Sequence, residues 1–504
     1  MYLPEWVQKF KEPRTEIKFI SNNYYKYEVE HIYNKEKKRT EKKTIKLLGK
    51  ITEKEGFIPS NKDVLRKKSE ELPQVDIKTF GVYHLFSDLM QEEIASLSNT
   101  FGKEASEQLF SFSMMRWAYQ SPIKRASFYH SHDICSEHWA TEAISDKIIS
   151  ENLKYFGENR EKVVAWMRTL LGDVDENNQN FVLLDSTHSF SASENIAINA
   201  KGYNPNFDFE KQIRLMYLFS AQMRQPVYYR LINGNITDVK SMVLCINEMN
   251  VKNKTVFIAD KGFFSAENIE MMDAENLSYI IPLHRNNTLI DLAPFEKSNF
   301  KKTLNYFFFQ KRIIWYHSYQ TGNYQLITFL DEELRINEER DYLSRIETHP
   351  EMYSKEKFDE KLHSFGTITI VHKINQEKPK VTKKTKTEKA YIFEQEIFEG
   401  YKQRNEIEIM FDSYKNYLKA DATYMQNRYV LEGWLFANFI AMIAYYKLYT
   451  RLKDAKLLSK LSPKDIIEIS KSICKIKIRG NWFKAEMTQK IIGIFKKIGI
   501  DYLN

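Results

Sequence analysis

The sequence predicts an α/β protein with several domains around a mixed sheet. Two apolar runs, FVLLD at 181–185 and VFIAD at 256–260, have the composition of buried strands, and each ends in an aspartate. Between residues 171 and 290, strand and helix patterns follow in the order β-β-β-α-β-α-β. The 504 residues are too many for one small core and indicate roughly two to four domains.

The N-terminal part is predicted to be a basic, β-rich region followed by helices. Alternating β-branched and aromatic residues between 16 and 60 favour strands. The stretch KEKKRTEKK at 35–43 is expected at an exposed hairpin tip, either as a phosphate contact or as a solvated loop. Residues 76–170 carry apolar side chains at three- and four-residue spacing, which predicts helices, with Ser145 capping one of them.

The central part contains the strands that carry the two aspartates. The first three strands of 171–290 are close enough in the sequence to be antiparallel, with a turn at Asn233-Gly234-Asn235. Ser265 is expected to cap the helix that follows Asp260. Residues 291–390 favour strands, with a hairpin turn at Thr321-Gly322-Asn323, a charged helical stretch and a lysine-rich piece at 378–389.

The C-terminal part is predicted to be helical. The apolar segment Leu431–Tyr446 is short for a membrane span and contains Glu432 and Asn438, so a buried core helix is expected. Residues 451–504 are read as a basic helical region, with a helix start at Ser462-Pro463.

The composition fits a folding chain in a reducing compartment. The net charge of +8 suits a polyanionic partner without demanding one. Three widely separated cysteines, with no C-x-x-C pair, argue against a disulfide framework. The N-terminus has charges where a signal peptide would be apolar, so a cytoplasmic location without membrane attachment is expected.

Asp185 and Asp260 are the first candidates for chemistry. A buried carboxylate must be neutralised, hydrogen-bonded or bound to a metal, because an unpaired charge is costly away from water. A turn-capping role can explain one such aspartate. Two of them within one β-β-β-α-β unit favour a metal site.

The segment from Tyr401 to Lys415 is predicted to be one helix. Tyr401, Arg404, Glu408 and Lys415 are spaced three, four and seven residues apart and would share one face, with Glu406 on the other side. On its own, this pattern favours a solvated, salt-bridged face over a functional one.

Together, these residues resemble one large group of bacterial insertion-sequence transposases with a DDE catalytic triad. The group's Y-x2-R-x3-E-x6-K signature is complete here as YKQRNEIEIMFDSYK. Asp185 and Asp260 stand where the group has its first two acids, in the contexts LLDST and IADKGFF. Lys261 replaces a frequent arginine, and His188 follows the first acid without a clear role. Stretches near both termini resemble one branch of the group.

This resemblance implies an RNase H-like catalytic core interrupted by a β-rich insertion. The implied domains are an N-terminal β-rich region (1–75), a helical DNA-end-binding domain (76–170), a two-part core (171–290 and 391–450), the insertion (291–390) and a C-terminal helical region (451–504).

The resemblance also implies the catalytic residues Asp185, Asp260 and Glu408. Three such carboxylates can hold two Mg²⁺ ions, for which Mn²⁺ can substitute, across a scissile phosphate. In the group, cleavage at the element's terminal inverted repeats frees a 3′-OH that is joined to target DNA, often after a hairpin intermediate. A dimer on DNA is expected, because paired ends are processed together, and the nucleoid is the expected location.

Further residues are assigned by the resemblance or left open. Tyr401, Arg404 and Lys415 would bind the phosphate near the cleaved end. Trp315, or its neighbour Tyr316, could stack on a flipped base, although a tryptophan in a strand is more often packed.

Other interpretations are weaker. Zinc binding is rejected for a histidine- and cysteine-rich stretch whose spacing matches no justified zinc site: His130, His132, Cys135 and His138. A related nuclease without strand transfer, or an inactive or domesticated DNA-binding descendant, is an alternative to an active transposase. The intact acids and the complete signature argue against the inactive form.

Overall fold

The structure is a computed structural model that describes most of the chain. The described residues are 3–34, 39–62, 75–139, 144–171, 180–201, 210–232, 238–250, 255–297, 299–374 and 392–502. The predicted turn at 233–235, the start of the basic stretch at 35–38 and the lysine-rich piece at 378–389 lie outside these residues. The chain divides into one unit with residues 1–77 and 475–485 and a second unit with the remainder.

The first unit contains an antiparallel sheet, as predicted for residues 16–60. After the short helix α1 (Glu5–Gln8), its strands are β1 (Thr15–Ile20), β2 (Asn23–Asn34), β3 (Arg39–Thr52) and β4 (Gly56–Pro59), in that spatial order. Trp6 of α1 packs edge-on against Tyr24, with the ring centroids 5.4 Å apart. Residues 39–43 of the basic stretch belong to β3, so this part is a strand and not a loop.

Helices follow in the second unit, as the apolar spacing predicted. After β5 (Val75–Thr79) they are α2 (Gly81–Leu89), α3 (Gln91–Phe101), α4 (Lys103–Tyr119), α5 (Ile123–His132), α6 (Asp146–Glu158) and α7 (Arg160–Thr169). Ser145 caps α6 by accepting a hydrogen bond from the backbone N–H of Ile148 at 3.2 Å, which confirms its predicted role.

The central sheet has the predicted order of elements. These are β6 (Asn180–Ser191), β7 (Ala200–Lys201), β8 (Lys211–Ser220), β9 (Gln225–Ile232), α8 (Asp238–Met249), β10 (Thr255–Ile258), α9 (Ala266–Ala274) and β11 (Ser278–Pro282). In space the main strands run β9-β8-β6-β10-β11. β8 is antiparallel to both β6 and β9, whereas β10 is parallel to both β6 and β11. This arrangement agrees with the RNase H-like core. Ser265 caps α9 as predicted.

One strand is longer than predicted. Asp185 was expected at the end of a strand, but β6 continues to Ser191. The reason is that β6 stays paired with β8 as far as Phe190, after its pairing with β10 has ended at Leu183. Asp185 therefore lies within a strand, at the point where one of its two neighbours departs.

The predicted β-rich insertion extends the same sheet. Its elements are α10 (Ala293–Glu296), α11 (Phe300–Thr303), β12 (Asn305–Phe309), β13 (Arg312–Thr321), β14 (Tyr324–Asp331), α12 (Glu332–Thr348), α13 (Lys355–Lys361) and β15 (Thr367–Lys373). β15 pairs antiparallel with β11, and β14, β13 and β12 follow outwards. The turn between β13 and β14 confirms the predicted hairpin. A second turn, at Gln310-Lys311, has positive φ angles of 48° and 70°.

The late helices complete the core. They are α14 (Phe393–Lys402), α15 (Asn405–Asp412), a π-helical turn (Ser413–Tyr417), the short strand β16 (Ala422–Thr423) and α16 (Arg428–Asp454). α16 crosses α6 closely, because a Cβ atom on Gly433 would lie 1.9 Å from the carbonyl oxygen of Leu153. Leu431–Tyr446 is a buried core helix, as predicted. In the described part of the chain, every helix falls short of the length and apolarity that a bilayer span needs.

The C-terminal region is only partly helical. α17 (Pro463–Lys471) begins with the predicted cap at Ser462, and α18 (Gln489–Lys497) lies near the end. Between them, β17 (Cys474–Ile478) and β18 (Asn481–Lys484) form a hairpin beside β5, so the helical prediction is wrong there. The alternating sequence CKIKI favours a strand, and Arg479 and Gly480 provide a turn with positive φ angles of 50° and 86°.

Candidate active site

Asp185 and Asp260 lie side by side at one edge of the sheet. Leu183 of β6 is the register partner of Ile258 of the parallel strand β10. Asp185 and Asp260 each lie two residues after one of these register partners, so the two side chains leave the sheet at the same level. Each accepts a hydrogen bond from the backbone N–H of the next residue, Ser186 at 2.8 Å and Lys261 at 2.7 Å.

The segment that carries the signature residues is not one continuous helix, and that prediction is wrong. α14 ends at Lys402, and the N–H groups of Arg404 and Ile407 bond to carbonyls only three residues earlier. Such three-residue bonds tighten the chain locally. After α15, the chain widens into the π-helical turn that contains Lys415. Of the predicted face, Tyr401, Arg404 and Glu408 therefore stay together, whereas Lys415 does not join them.

Arg404 joins the three predicted catalytic carboxylates. Its Nη2 lies 3.3 Å from Oδ2 of Asp185 and 3.6 Å from Oδ2 of Asp260. Its Nη1 lies 2.7 Å from Oε1 of Glu408, one helical turn further on. Three elements, β6, β10 and α15, thus each bring one carboxylate to the same guanidinium. This happens although 148 residues separate Asp260 from Glu408.

The site is electrostatically coupled but open to solvent on one side. The side chains of Arg404 and Asp185 are 15% and 18% exposed, whereas Glu408 is 52% exposed. Burial lowers the pKa of Arg404, but Asp260, Asp185 and Glu408 outweigh this effect and raise the pKa above its ordinary value. The guanidinium is therefore a permanent cation amid the acids.

Tyr401 lies beside this cluster as a neutral hydrogen-bond donor. Burial raises the pKa of its phenol; Asp260 and Glu408 raise the pKa further and Arg404 opposes them. The hydroxyl therefore keeps its proton at neutral pH.

Lys415 lies near Asp421 and His188 instead of the three acids. Burial lowers the pKa of Lys415, and Asp421 opposes this effect. Burial, Lys415 and Arg214 lower the pKa of His188 to about 4, so its imidazole is neutral at physiological pH. His188 is three residues from Asp185 on β6, which puts it on the opposite face of the strand.

Glu406 contacts a different part of the protein. Its carboxylate lies 2.9 Å from Nζ of Lys453, and its carbonyl accepts a hydrogen bond from the Tyr446 hydroxyl, both on α16. Glu406 therefore attaches α15 to the core, whereas Glu408, two residues further on, faces the aspartates. Glu406 and Glu408 are therefore a matched pair for substitution, because they carry the same side chain on one helix but contact different parts of the protein.

The three carboxylates suit a divalent metal as a donor set. Within the described ranges, no three His, Cys, Asp or Glu side chains are arranged as a metal site. In this structure, Arg404 lies between the acids and provides the positive charge that balances their negative charges. The acids nevertheless converge on one cation through carboxylate oxygens, the ligands that Mg²⁺ prefers. By the type of their donor atoms, these residues therefore fit a divalent metal.

Trp315 lies in a hydrophobic cluster. It is 7% exposed and packs with Phe295 and Leu330. Its indole N–H donates to Glu332 at 3.1 Å. This environment agrees with the packed alternative, and the stacking role stays a prediction.

The histidine- and cysteine-rich stretch makes separate local contacts. A ring nitrogen of His130 lies 3.3 Å from the carbonyl oxygen of Trp139, and one of His132 lies 2.8 Å from that of Phe128. The ring of His138 stacks on Tyr83, with the centroids 5.0 Å apart.

The sequence did not reveal a cavity that adjoins the predicted site. Its volume is about 390 Å³, and its lining includes the cations Lys261, Arg285 and Lys402. Two of these directly follow Asp260 and Tyr401 in the chain. Arg285 follows β11 and could have been found from its position, because β6, β10 and β11 are parallel and end at the same edge of the sheet.

The family is decided by comparison with known families. Residues 177–444, more than half of the chain, match the family described as "Transposase DDE domain". The chain belongs to this family of DDE transposases. The matched range includes most of both core segments, the insertion and all three carboxylates. The protein is thus a DNA transposase.

Two solved structures are similar to the transposase at low identity. One is the piggyBac transposase synaptic complex with hairpin DNA, at 9% identity and a TM-score of 0.36, covering 73% of this chain and 70% of the other. The second is the Mos1 transposase paired-end complex with the left transposon end, at 12% identity and a TM-score of 0.15, covering 36% and 64%. The search of curated proteins returns no match for the sequence.

Proposed function

We propose that this transposase cuts phosphodiester bonds at the terminal inverted repeats of its own element and joins the freed 3′-OH to target DNA. Asp185, Asp260 and Glu408 are its catalytic carboxylates. The observation that supports this proposal is their convergence on Arg404 within 3.6 Å. The sheet register provides two of the acids and α15 provides the third.

The carboxylates would hold two Mg²⁺ ions, or Mn²⁺ in their place. When bound, such ions neutralise the scissile phosphate and lower the pKa of water. The position of Arg404 implies a competition, because a guanidinium and a metal cation cannot occupy the same space between the acids. Arg404 would have to release the carboxylates for them to hold a metal.

The residues around the acids would hold the DNA. Once released, Arg404 offers two parallel N–H groups that match a phosphate. The protonated hydroxyl of Tyr401 can donate to a phosphate oxygen. Lys415 lies further from the acids and would contact a more distant phosphate as a point charge.

The proposed partners are the two ends of the element and a target duplex. A homodimer on DNA would process both ends together. The site of action would be the cytoplasm, at the nucleoid. A hairpin on the opposite strand before joining is compatible with this set of residues.

A metal-dependent cleavage assay tests the proposal. The purified protein is incubated with DNA that carries the two ends of its element, with and without Mg²⁺ or Mn²⁺. Glu408→Gln is the test variant, and Glu406→Gln is the matched control on the same helix. Metal-dependent nicking at the element boundary that Glu408→Gln alone abolishes supports the triad. Equal cleavage by wild type and Glu408→Gln refutes it.

Strand transfer needs a second readout. A pre-cut end with a free 3′-OH is mixed with a supercoiled plasmid and a divalent metal. Covalent joining distinguishes a transposase reaction from simple nuclease activity. Cleavage without joining would leave the nuclease alternative.

A further inference from the structure

The first unit contains a two-stranded ribbon that extends beyond its sheet. β1 pairs with β2 only as far as Glu28, and β4 pairs with β3 only from Gly49 onwards. In the described part of the sheet, residues 30–34 of β2 pair only with residues 39–43 of β3, and residues 39–46 of β3 pair only with β2. We call these residues the ribbon. Five residues of extended strand span about 16 Å.

The ribbon is exposed on both faces. Ile32, Tyr33 and Ile45 are 44%, 59% and 52% exposed, although such apolar side chains are normally buried in a sheet. An isolated two-stranded hairpin is marginally stable in water. A ribbon of this kind therefore gains from a partner that covers it.

The two faces of the ribbon differ in chemistry. Register partners in antiparallel strands point to the same side, so the pairs His31–Lys42 and Tyr33–Thr40 share one face. The opposite face carries both acids of the ribbon, Glu30 and Glu41, together with its remaining cations, Arg39, Lys43 and Lys46.

We call the side that carries none of the ribbon's own acids the basic face. Lys18 of β1 also reaches it, since its Nζ donates to the Thr44 hydroxyl at 3.2 Å. Glu16 of β1 lies at its margin, 3.0 Å from Nζ of Lys42 and 3.6 Å from Nζ of Lys18. The basic face thus combines lysines, hydroxyl groups, an imidazole and one exposed phenol.

We infer that the basic face of the ribbon binds duplex DNA at the ends of the element. The inference rests on the proposed function, which requires a surface that holds those ends. A two-stranded ribbon fits the major groove of B-DNA. Lysines neutralise phosphates, and threonine, tyrosine and histidine side chains can hydrogen-bond to phosphates or base edges.

The main test compares adjacent lysines on opposite faces. Full-length Lys42→Glu/Tyr33→Ala is compared with Lys43→Glu/Ile32→Ala, a matched change on the opposite face of the same ribbon, where Glu30 and Glu41 lie. Binding is measured by fluorescence anisotropy on a labelled duplex of the element's end, at several salt concentrations. We expect the basic-face variant to lose about tenfold or more in affinity and to show a shallower salt dependence. The opposite-face variant should lose less than threefold.

A second comparison addresses the helical domain as the alternative reader of DNA. Lys147→Glu/Lys154→Glu changes two exposed lysines of α6 that pair with glutamates one turn away. This variant should bind as wild type does. Equal thermal unfolding of all variants shows that they are folded.

The outcomes separate this inference from the proposed function. At protein concentrations that saturate the DNA, the basic-face variant should still nick the element boundary, whereas Glu408→Gln should bind normally and not nick. Loss of nicking by Glu408→Gln together with wild-type binding by the basic-face variant overturns the ribbon assignment alone. A change in oligomeric state without a change in DNA affinity, seen by light scattering, assigns the ribbon to a second copy of the chain and also overturns it.

Discussion

Asp133 and the acids around Arg404 show two ways in which one fold treats a carboxylate. Asp133 lies after α5, is fully buried and accepts a hydrogen bond from the backbone N–H of Cys135 at 2.9 Å. Burial raises its pKa to about 7, against the opposing hydrogen bonds from Cys135. At the sheet edge, Asp260 and Glu408 are partly exposed and share a guanidinium.

The difference lies in how each site balances charge. Desolvation favours the neutral acid at Asp133, which makes it a structural cap and a poor metal ligand. At the sheet edge, the carboxylates face solvent and the Arg404 guanidinium, which keeps their oxygens available to a cation. Burial alone is therefore a poor guide to function here, because the fully buried carboxylate is the structural one.

The largest expected effect is on catalysis. Glu408→Gln should lower the rate of metal-dependent nicking by roughly 10³-fold or more, because it removes a ligand charge at the reacting phosphate. Asp133→Asn should nick within about twofold of the wild-type rate. Single-turnover cleavage with saturating protein measures both. Comparable losses in the two variants would remove the functional distinction between the sites.

The next effect is on the pH dependence of stability. The carboxyl of Asp133 has a pKa of about 7 in the fold, against an ordinary value of 3.8. Unfolding releases a proton between these pH values, so the free energy of unfolding falls as the pH rises from 4 to 7. Asp133→Asn should remove this fall, which amounts to roughly 2–3 kcal/mol between pH 5 and pH 8. Urea unfolding of wild type and of Asp133→Asn at pH 5 and pH 8 measures this difference. An equal change in the free energy of unfolding of both proteins would mean that Asp133 is ionised in the fold.

A smaller effect is expected on metal affinity. Arg404→Gln removes the cation that competes with metal, so Mn²⁺ should bind the DNA-free protein about tenfold more tightly, while cleavage falls because a phosphate contact is lost. Electron paramagnetic resonance of free Mn²⁺ gives the affinity without any turnover. Arg224→Gln, which removes a surface ion pair with Asp454, is the control and should leave the affinity unchanged. Weaker Mn²⁺ binding by Arg404→Gln would contradict the competition.

The smallest effect is expected at Trp315. Trp315→Phe keeps most of the packing in its cluster and loses one hydrogen bond to Glu332, at a cost of about 1 kcal/mol. Cleavage of the element's end should stay within twofold of wild type, as single-turnover rates would show. A large loss of cleavage with little loss of stability would return Trp315 to the DNA-contacting residues.

Sequence reasoning worked where a local pattern determines the structure. FVLLD and VFIAD are apolar runs that can only be buried strands in this context, and their aspartates lie together as predicted. Serine caps at Ser145, Ser265 and Ser462 were readable because each needs only a side chain three residues before a free N–H.

Other features depend on contacts that a single sequence does not contain. The tightening at Arg404 and the π-helical turn at Lys415 break the uniform period on which the one-face prediction relied. The buried state of Trp315 depends on α10 and α11, which pack over its strand. The insertion could be recognised as β-rich, but its attachment to the edge of β11 requires a long-range strand pairing.

The shared register of β6 and β10 limits where the gene can gain or lose codons. The backbone pairing of Leu183 with Ile258 brings Asp185 level with Asp260, two residues beyond the last pair, so the spacing of the two acids is set by counting residues along two strands. Deleting one residue between Phe181 and Leu184 would turn the acid to the far face of the sheet. Length variation in this lineage should therefore accumulate between strands, while these two short segments keep their length even where their apolar residues are exchanged.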